Sequence, residues 1–128
     1  MNSRQNAKPR VRIADIKAAV AFRWGLTAGD FTSPRRFRRI AHPRQVAMYL
    51  CRELTESSYP LIGRVFGGRD HTTVLHARRA VMARMAVDQE LARAVEAITE
   101  LAIKASFAAH QCARTLRADE LVQRVAAQ

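Results

Sequence analysis

The sequence has few of the residues on which disulfide frameworks, metal centres and membrane segments depend. Its two cysteines, Cys51 and Cys112, lie far apart and outside any CxxC or Cys/His spacing. We therefore expect reduced thiols that pack as small apolar side chains, with no metal and no cofactor. No apolar run approaches the ~18 residues of a membrane span, and the polar, basic start MNSRQNAKPRVR is not typical of a secretory signal. These absences favour a cytoplasmic protein that does not bind membranes.

Alternating apolar runs typical of strands are missing too, and apolar residues instead recur at helical spacing. At 128 residues the chain is long enough for one domain and an appendage. The predicted fold is all-α. The predicted helices run from Val11 to Gly25, briefly within LTAGDFTSP, from Pro43 onward, from Ser57 or Ser58 to Gly67, from His71 to about Met85, from about Gln89, and over the last residues.

The sequence is divided into a flexible basic tail at 1–10, a domain at 11–103 and a C-terminal helical extension at 104–128. The extension carries only a weak apolar stripe. The residues expected to pack inward elsewhere include Leu26 and Phe31, one face of the second long helix, and the short helix that ends at Gly67. These positions are Val46, Ala47, Leu50, Cys51 and Leu54 on the long helix, and Leu61, Ile62, Val65 and Phe66 on the short one. The weak stripe of the extension consists of Phe107, Leu116, Leu121 and Val125.

Acidic residues are scarce in the first two-thirds of the chain. Residues 1–87 hold 17 Lys/Arg against 5 Asp/Glu, a balance of +12, whereas residues 88–128 hold 5 against 6, a balance of −1. Nearly all of the basic residues are arginine, whose planar guanidinium suits phosphate and guanine better than an ammonium does. A segregated positive excess of this size indicates a polyanionic partner.

The stretch FGGRDHTTVLHARR, residues 66–79, allows several kinds of site. His71 and His76 are five residues apart, about 140° around a helix, so they cannot grip one metal ion together. The stretch lacks GxxxxGK[ST], and no strand precedes it, so we expect no bound nucleotide. Serine, histidine and acid form no recognisable nucleophilic arrangement, which argues against an enzyme.

A helix-turn-helix accounts for every residue of this stretch. Gly67 ends one helix, Gly68 permits a tight turn, and Asp70 can cap a second helix that begins at His71. The second helix of such a motif enters the major groove by its N-terminal end. On it, Val74, Ala77, Val81 and Met85 form the predicted inward face, and Thr72, His76, Arg79 and Ala83 form the predicted outward stripe.

A basic segment, SPRRFRRIAH, precedes the second long helix and is predicted to be a loop broken by Pro34. Its arginines, together with Arg44, crowd into ten residues. Beside a recognition helix, such a loop would grip phosphates, with one arginine in the minor groove. The alternative is a helical hairpin with a solvated polar face. The candidate DNA-binding residues are Arg35, Arg36, Arg38, Arg44, Gln45, Arg52, Arg69, Asp70, His71, Thr72, Thr73 and Arg79.

The stretch RRIAHPRQVAMYLCRELTESSYPLIGRVFGGRDHTTVLHARR resembles the C-terminal DNA-binding domain, domain IV, of the bacterial replication initiator family DnaA, over residues 11–103. The resemblance implies a Trp-repressor-like helical fold with an embedded helix-turn-helix. It implies base contacts from Asp70, His71, Thr72 and Thr73. It also implies a minor-groove contact from Arg36, and backbone contacts or support from Arg44, Gln45 and Arg52. Where the family often has lysine, this chain has Arg52.

The resemblance implies a sequence-specific binder of double-stranded DNA at DnaA-box-like sites, acting on replication initiation or transcription from the bacterial nucleoid. The printed sequence contains no AAA+ module, so we expect a box reader and not an initiator. Two alternatives stay open. One is a decoy that regulates the initiator, or its regulators, through a protein partner on residues 104–128, and the other is a transcription factor with a drifted target site.

Overall fold

The structure is a computed structural model that describes residues 10–127, and it is helical in nearly every segment. Six helices follow one another, and no strand occurs among the described residues. The predicted flexible tail lies outside this range except for Arg10. The helices are α1 (Ile13–Trp24), α2 (Ala28–Thr32), α3 (Arg38–Leu54), α4 (Tyr59–Val65), α5 (His71–Val87) and α6 (Gln89–Ala126).

One hydrophobic core holds α1, α3, α4, α5 and the first half of α6 together. Its largest fully enclosed side chains include Ile16, Phe31, Leu50, Phe66 and Ile98. The rings of Phe31 and Phe66 meet edge to face with centroids 6.1 Å apart, so the short α2 segment is tied to the end of α4. The predicted burial of Phe31 and of the α3 face is confirmed, while Leu26 and Leu54 are half-buried at the rim of this core.

The second long helix begins at Arg38, five residues before the predicted start at Pro43. Ile40 is 3% exposed and draws the segment onto the core, and the Phe37 carbonyl accepts from the amides of Ile40 and Ala41 at 2.9 and 2.7 Å. Pro43 thus lies inside the helix. The predicted basic loop therefore shrinks to residues 33–37, and Arg38 belongs to the first helical turn.

Leu61 was predicted to pack inward and does not, since 40% of its surface is exposed. The inward side of α4 consists of Ile62, Gly63 and Phe66, at positions i, i+1 and i+4. Leu61 lies one residue earlier, about 100° away around the helix, and so faces outward.

The two predicted C-terminal helices form one continuous helix of 38 residues. No glycine or proline occurs between 89 and 126 to end it, and at 1.5 Å per residue it is about 57 Å long. It packs on α1 as far as Ser106, which is 1% exposed. Ser106 Oγ donates to Asp15 Oδ2 at 2.7 Å and accepts from the Arg12 amide at 3.0 Å. We call this contact between Ser106 and Asp15 the latch, and beyond it the helix is almost entirely exposed.

Candidate nucleic-acid interface

The turn between α4 and α5 is built on glycines. Ser58 caps α4, its side chain accepting from the Leu61 amide at 3.3 Å. Gly67 and Gly68 have φ of 86° and 72°, the left-handed region that favours glycine. The backbone of Gly67 also lies so close to Thr32 that a β-carbon would meet the Thr32 oxygen at 2.6 Å. The predicted roles of Gly67 and Gly68 in ending the helix and forming the turn are confirmed.

The helix α5 presents the predicted faces. Val74, Ala77 and Val81 are buried, and Met85 is half-buried against the core. The predicted outward stripe of Thr72, His76, Arg79 and Ala83 is exposed throughout. The first turn of α5 is therefore fixed by its apolar side and offers its polar side to solvent.

Asp70, His71 and Thr72 form a hydrogen-bonded group at the start of α5. The Thr72 hydroxyl donates to Asp70 Oδ2 at 2.8 Å, and His71 Nδ1 lies 2.9 Å from Asp70 Oδ1. The donated hydroxyl of Thr72 is the main reason why the pKa of Asp70 lies below its usual value. Asp70 occupies the N-cap position as predicted, although its side chain makes no capping hydrogen bond. Its carboxylate is instead held ionised and exposed beside two polar neighbours.

Two of the candidate arginines turn inward and bind backbone carbonyls. Arg44 is only 6% exposed, and its guanidinium donates to the carbonyls of Asp30, Ser33 and Arg35 at 3.3, 3.0 and 2.9 Å. The guanidinium of Arg69 donates to the carbonyls of Phe31, Phe66 and Ser33. Burial lowers the pKa of both groups. Such positions favour support of the basic loop over contact with phosphate.

The basic loop and the recognition helix meet at a common cleft, which we call the first cleft. It measures about 520 Å³, and Arg36 from the loop and Thr73 from α5 both line it, as do Gln45 and Arg69. Because Arg44 and Arg69 both bind the Ser33 carbonyl, the loop that carries Arg36 is fixed against the α4–α5 turn. The predicted minor-groove arginine and the predicted base-reading helix therefore lie side by side.

The other candidates lie around this cleft in different environments. Arg35, Arg36 and Arg38 are exposed, as is Arg79 in the third turn of α5. Arg52 donates to the Ser57 carbonyl at 3.0 Å and stacks on the ring of Tyr59, 4.4 Å from its centroid. Its exposed side chain is thereby held at the end of α3.

Sequence reasoning missed two basic residues that shape this region. Lys17 Nζ donates to the Val65 carbonyl at 2.7 Å and lies 4.7 Å from the centroid of the Phe66 ring, which ties α1 to the end of α4. Its position between Ile16 and Val20, on the apolar side of α1, was the available signal. Arg84 donates to Gln45 Oε1 at 2.6 Å. The two residues are 39 positions apart, so no local sequence pattern predicts this contact.

Other kinds of site find no support in the part of the chain that the structure describes. Residues 10–127 contain no cluster of three or more histidine, cysteine, aspartate or glutamate side chains able to hold a metal ion. None of the six helices is both long and apolar enough to cross a membrane.

Comparison with known proteins agrees with this geometry. A family profile described as the bacterial dnaA protein helix-turn-helix matches residues 13–81. The chromosomal replication initiator protein DnaA of Sphingopyxis alaskensis is 52% identical over 94 residues, covering 73% of this chain and 21% of that protein. A crystal structure of a DNA replication initiation factor superposes with a TM-score of 0.65 at 32% identity, covering 79% of this chain and 31% of the other. The chain thus spans about a fifth of the length of the curated relative that it matches.

Proposed function

Because the chain belongs to the family of bacterial DnaA helix-turn-helix domains, we propose that it binds double-stranded DNA at DnaA-box-like sites and thereby modulates replication initiation or transcription. The observation that carries this proposal is the first cleft, in which Arg36 and Thr73 stand together. A helix in the major groove and an arginine in the neighbouring minor groove can then read one short site from two sides. Binding of this kind would place the chain on the nucleoid.

The roles within the proposed interface follow from exposure. Thr72 and Thr73 offer hydroxyls and methyl groups to base edges, Asp70 can accept from a cytosine amine, and His71 can donate. Arg35, Arg38, Arg52 and Arg79 are exposed cations for phosphates. Arg44 and Arg69 hold the loop, and Gln45 holds Arg84.

The decisive experiment is a selection from random duplex DNA with the 128-residue chain, followed by fluorescence anisotropy on the selected site and on a scrambled duplex of equal length. We expect Thr72→Ala to cost about 1–3 kcal/mol on the selected site and little on the scrambled one. Thr115→Ala removes the same hydroxyl in the exposed extension and serves as the matched control. Equal losses on both duplexes, or no enriched sequence, would refute specific reading.

A second candidate function involves residues 107–126 of the extension, together with DNA binding. Five large apolar side chains there are 60–74% exposed, namely Phe107, Leu116, Leu121, Val122 and Val125. Exposed apolar side chains of this size are typical of a protein-binding segment, so the chain would bring a partner to its DNA site or withhold one. Competition with the initiator for boxes would, in contrast, need only the domain.

A truncation separates these two modes of action. The variant that ends at Gln111 keeps the Ser106–Asp15 latch and removes most of the exposed apolar side chains. If the extension recruits a partner, this variant keeps its affinity for the site in vitro but loses its effect on the origin-to-terminus ratio in cells. If competition suffices, the cellular effect survives the truncation.

A further inference from the structure

A second cleft, of about 440 Å³, lies where the first turns of α3 meet the end of α5 and the start of α6. Its floor is apolar, with Trp24, Val46 and Leu91 among the lining residues. Its basic side chains come from two helices, with Arg38, Arg39 and His42 on α3 and Arg84 on α5. We call this the second cleft.

The positive charge of the second cleft is not balanced by the residues that line it. The one acid in the lining, Asp88, caps α6 by accepting from the Leu91 amide at 3.2 Å. The ion pairs among residues 10–127 join Arg12 to Asp15, His71 to Asp70 and Arg78 to Glu53, so they involve none of the cleft arginines. Burial, and then the charges of Arg84 and Arg38, lower the pKa of His42. Like charges gathered in this way attract an anion.

The second cleft is joined to the first. Arg36 lines the first cleft and Arg38, two residues later, lines the second. Gln45 also lines the first cleft, while its Oε1 accepts from Arg84 of the second at 2.6 Å. The basic surface that faces the proposed DNA site therefore continues past Gln45 towards the far end of α5.

We propose that the second cleft binds the phosphates of duplex DNA outside the recognised site, with Arg39 and Arg84 as backbone-gripping residues. This rests on the proposed function, since the recognised site must lie in the first cleft for its flank to reach the second. Duplex DNA carries its charge in a continuous row, and each neutralised phosphate releases a condensed counterion. The apolar floor can pack against deoxyribose while the guanidinium groups meet phosphate oxygens. Flanking DNA then adds affinity without adding sequence preference.

The test compares two duplexes that carry the same selected site, one ending at the edges of the site and one extended by six base pairs on each side. For the unaltered chain we expect tighter binding and a steeper salt dependence on the long duplex. Arg84→Gln and Arg39→Gln should each cost about fivefold to tenfold on the long duplex at 0.1 M salt, and lower the log–log salt slope by about 0.9. On the short duplex Arg39→Gln should stay within about twofold of the unaltered chain, and Arg84→Gln, which also loses its contact with Gln45, should lose less affinity there than on the long duplex.

Controls separate this inference from folding effects and from the proposed function. Arg117→Gln removes one exposed charge from the extension and should leave the gain from flanking DNA intact. Arg84→Lys keeps the charge and should restore most of that gain. Losses of equal size on both duplexes, or a gain that survives both substitutions, would overturn the inference. Failure of the unaltered chain to prefer the selected site over a scrambled duplex would instead refute the proposed function, whatever the flank contributes.

Discussion

Replacing Gly63 with alanine tests the geometry of the helix-turn-helix more directly than any change in the residues proposed to face DNA. Gly63 is buried on the inner side of α4, where its carbonyl accepts from the Arg69 amide at 2.8 Å. A β-carbon at this position would overlap the carbonyl oxygen of Arg69 and lie 3.1 Å from its carbonyl carbon. The obstacle is backbone, which cannot move aside as a flexible side chain does. Gly63→Ala must therefore push the α4–α5 turn away from α4.

Two effects of opposite sign determine the size of the change. Alanine in place of glycine inside a helix contributes about 1 kcal/mol of stability through propensity alone. Overpacking costs about 1–3 kcal/mol, and loss of the Gly63–Arg69 hydrogen bond between buried groups adds about 1–3 kcal/mol. The net loss is about 1–5 kcal/mol, with a central value of about 3 kcal/mol. For a chain of 128 residues, each kcal/mol corresponds to roughly 3–5 °C in Tm, so the central value gives a fall of roughly 9–15 °C.

The assay is thermal unfolding followed by circular dichroism at 222 nm. Gly29→Ala in α2 is the matched control, because its β-carbon would meet nothing closer than Thr27 Oγ1 at 3.9 Å. That variant should be neutral or slightly stabilised. If Gly63→Ala raised the Tm like the control, α4 would not approach the turn as closely as described. The derived placement of Arg69 and Thr73 beside the basic loop would then be wrong.

Three further outcomes follow from the buried polar groups and the thiols. Arg44→Met should lower the free energy of unfolding by about 2–4 kcal/mol, because three backbone carbonyls lose a charged donor. Denaturant titration measures this loss. An unchanged unfolding midpoint together with a reduced salt slope of DNA binding would make Arg44 a phosphate contact instead. Iodoacetamide should alkylate the exposed Cys112 and spare Cys51, since burial raises the pKa of the Cys51 thiol to about 12. Mass spectrometry of the folded chain counts the alkylated thiols, and rapid alkylation of both cysteines would disprove this prediction. The hydrogen bond from Arg12 is the main reason why the pKa of Asp15 lies below its usual value. Stability from a carboxyl whose pKa is lowered in the folded state is present above its unfolded pKa and is lost as the pH falls through the folded pKa, so Asp15→Asn should destabilise the chain at pH 7 but not near pH 2. A loss of stability that is the same at both pH values would argue against the Ser106–Asp15 latch.

The parts of this molecule that sequence alone predicted are those controlled by local chemistry. Gly67 and Gly68 mark the turn because few other residues adopt positive φ. The inward side of α5 follows from the spacing of Val74, Ala77 and Val81, which needs no knowledge of what they pack against. The family resemblance then predicted that the surface opposite that face meets DNA.

The parts that sequence reasoning did not predict depend on contacts between distant segments. Pro43 is a good helix start by its own chemistry, yet burial of Ile40 extends the helix one turn further towards the N-terminus. Arg44 belongs to a basic run, and only the convergence of three carbonyls shows that it faces inward. The continuity of α6 could have been predicted, because nothing between 89 and 126 ends a helix.

The division between inward and outward arginines changes what the high positive charge means. The guanidinium groups of Arg44 and Arg69 donate to backbone carbonyls, so they add to the positive electrostatic potential of the protein without offering a free guanidinium to phosphate. The number of phosphates neutralised must then be smaller than the number of arginines near the site. Each phosphate contact contributes about 0.9 to the slope of log affinity against log salt concentration. The measured slope therefore gives the number of outward arginines that contact phosphate. The inward pair has a different effect: by fixing the loop before DNA arrives, it reduces the conformational entropy lost on binding, so its removal should weaken affinity at every salt concentration by a similar factor.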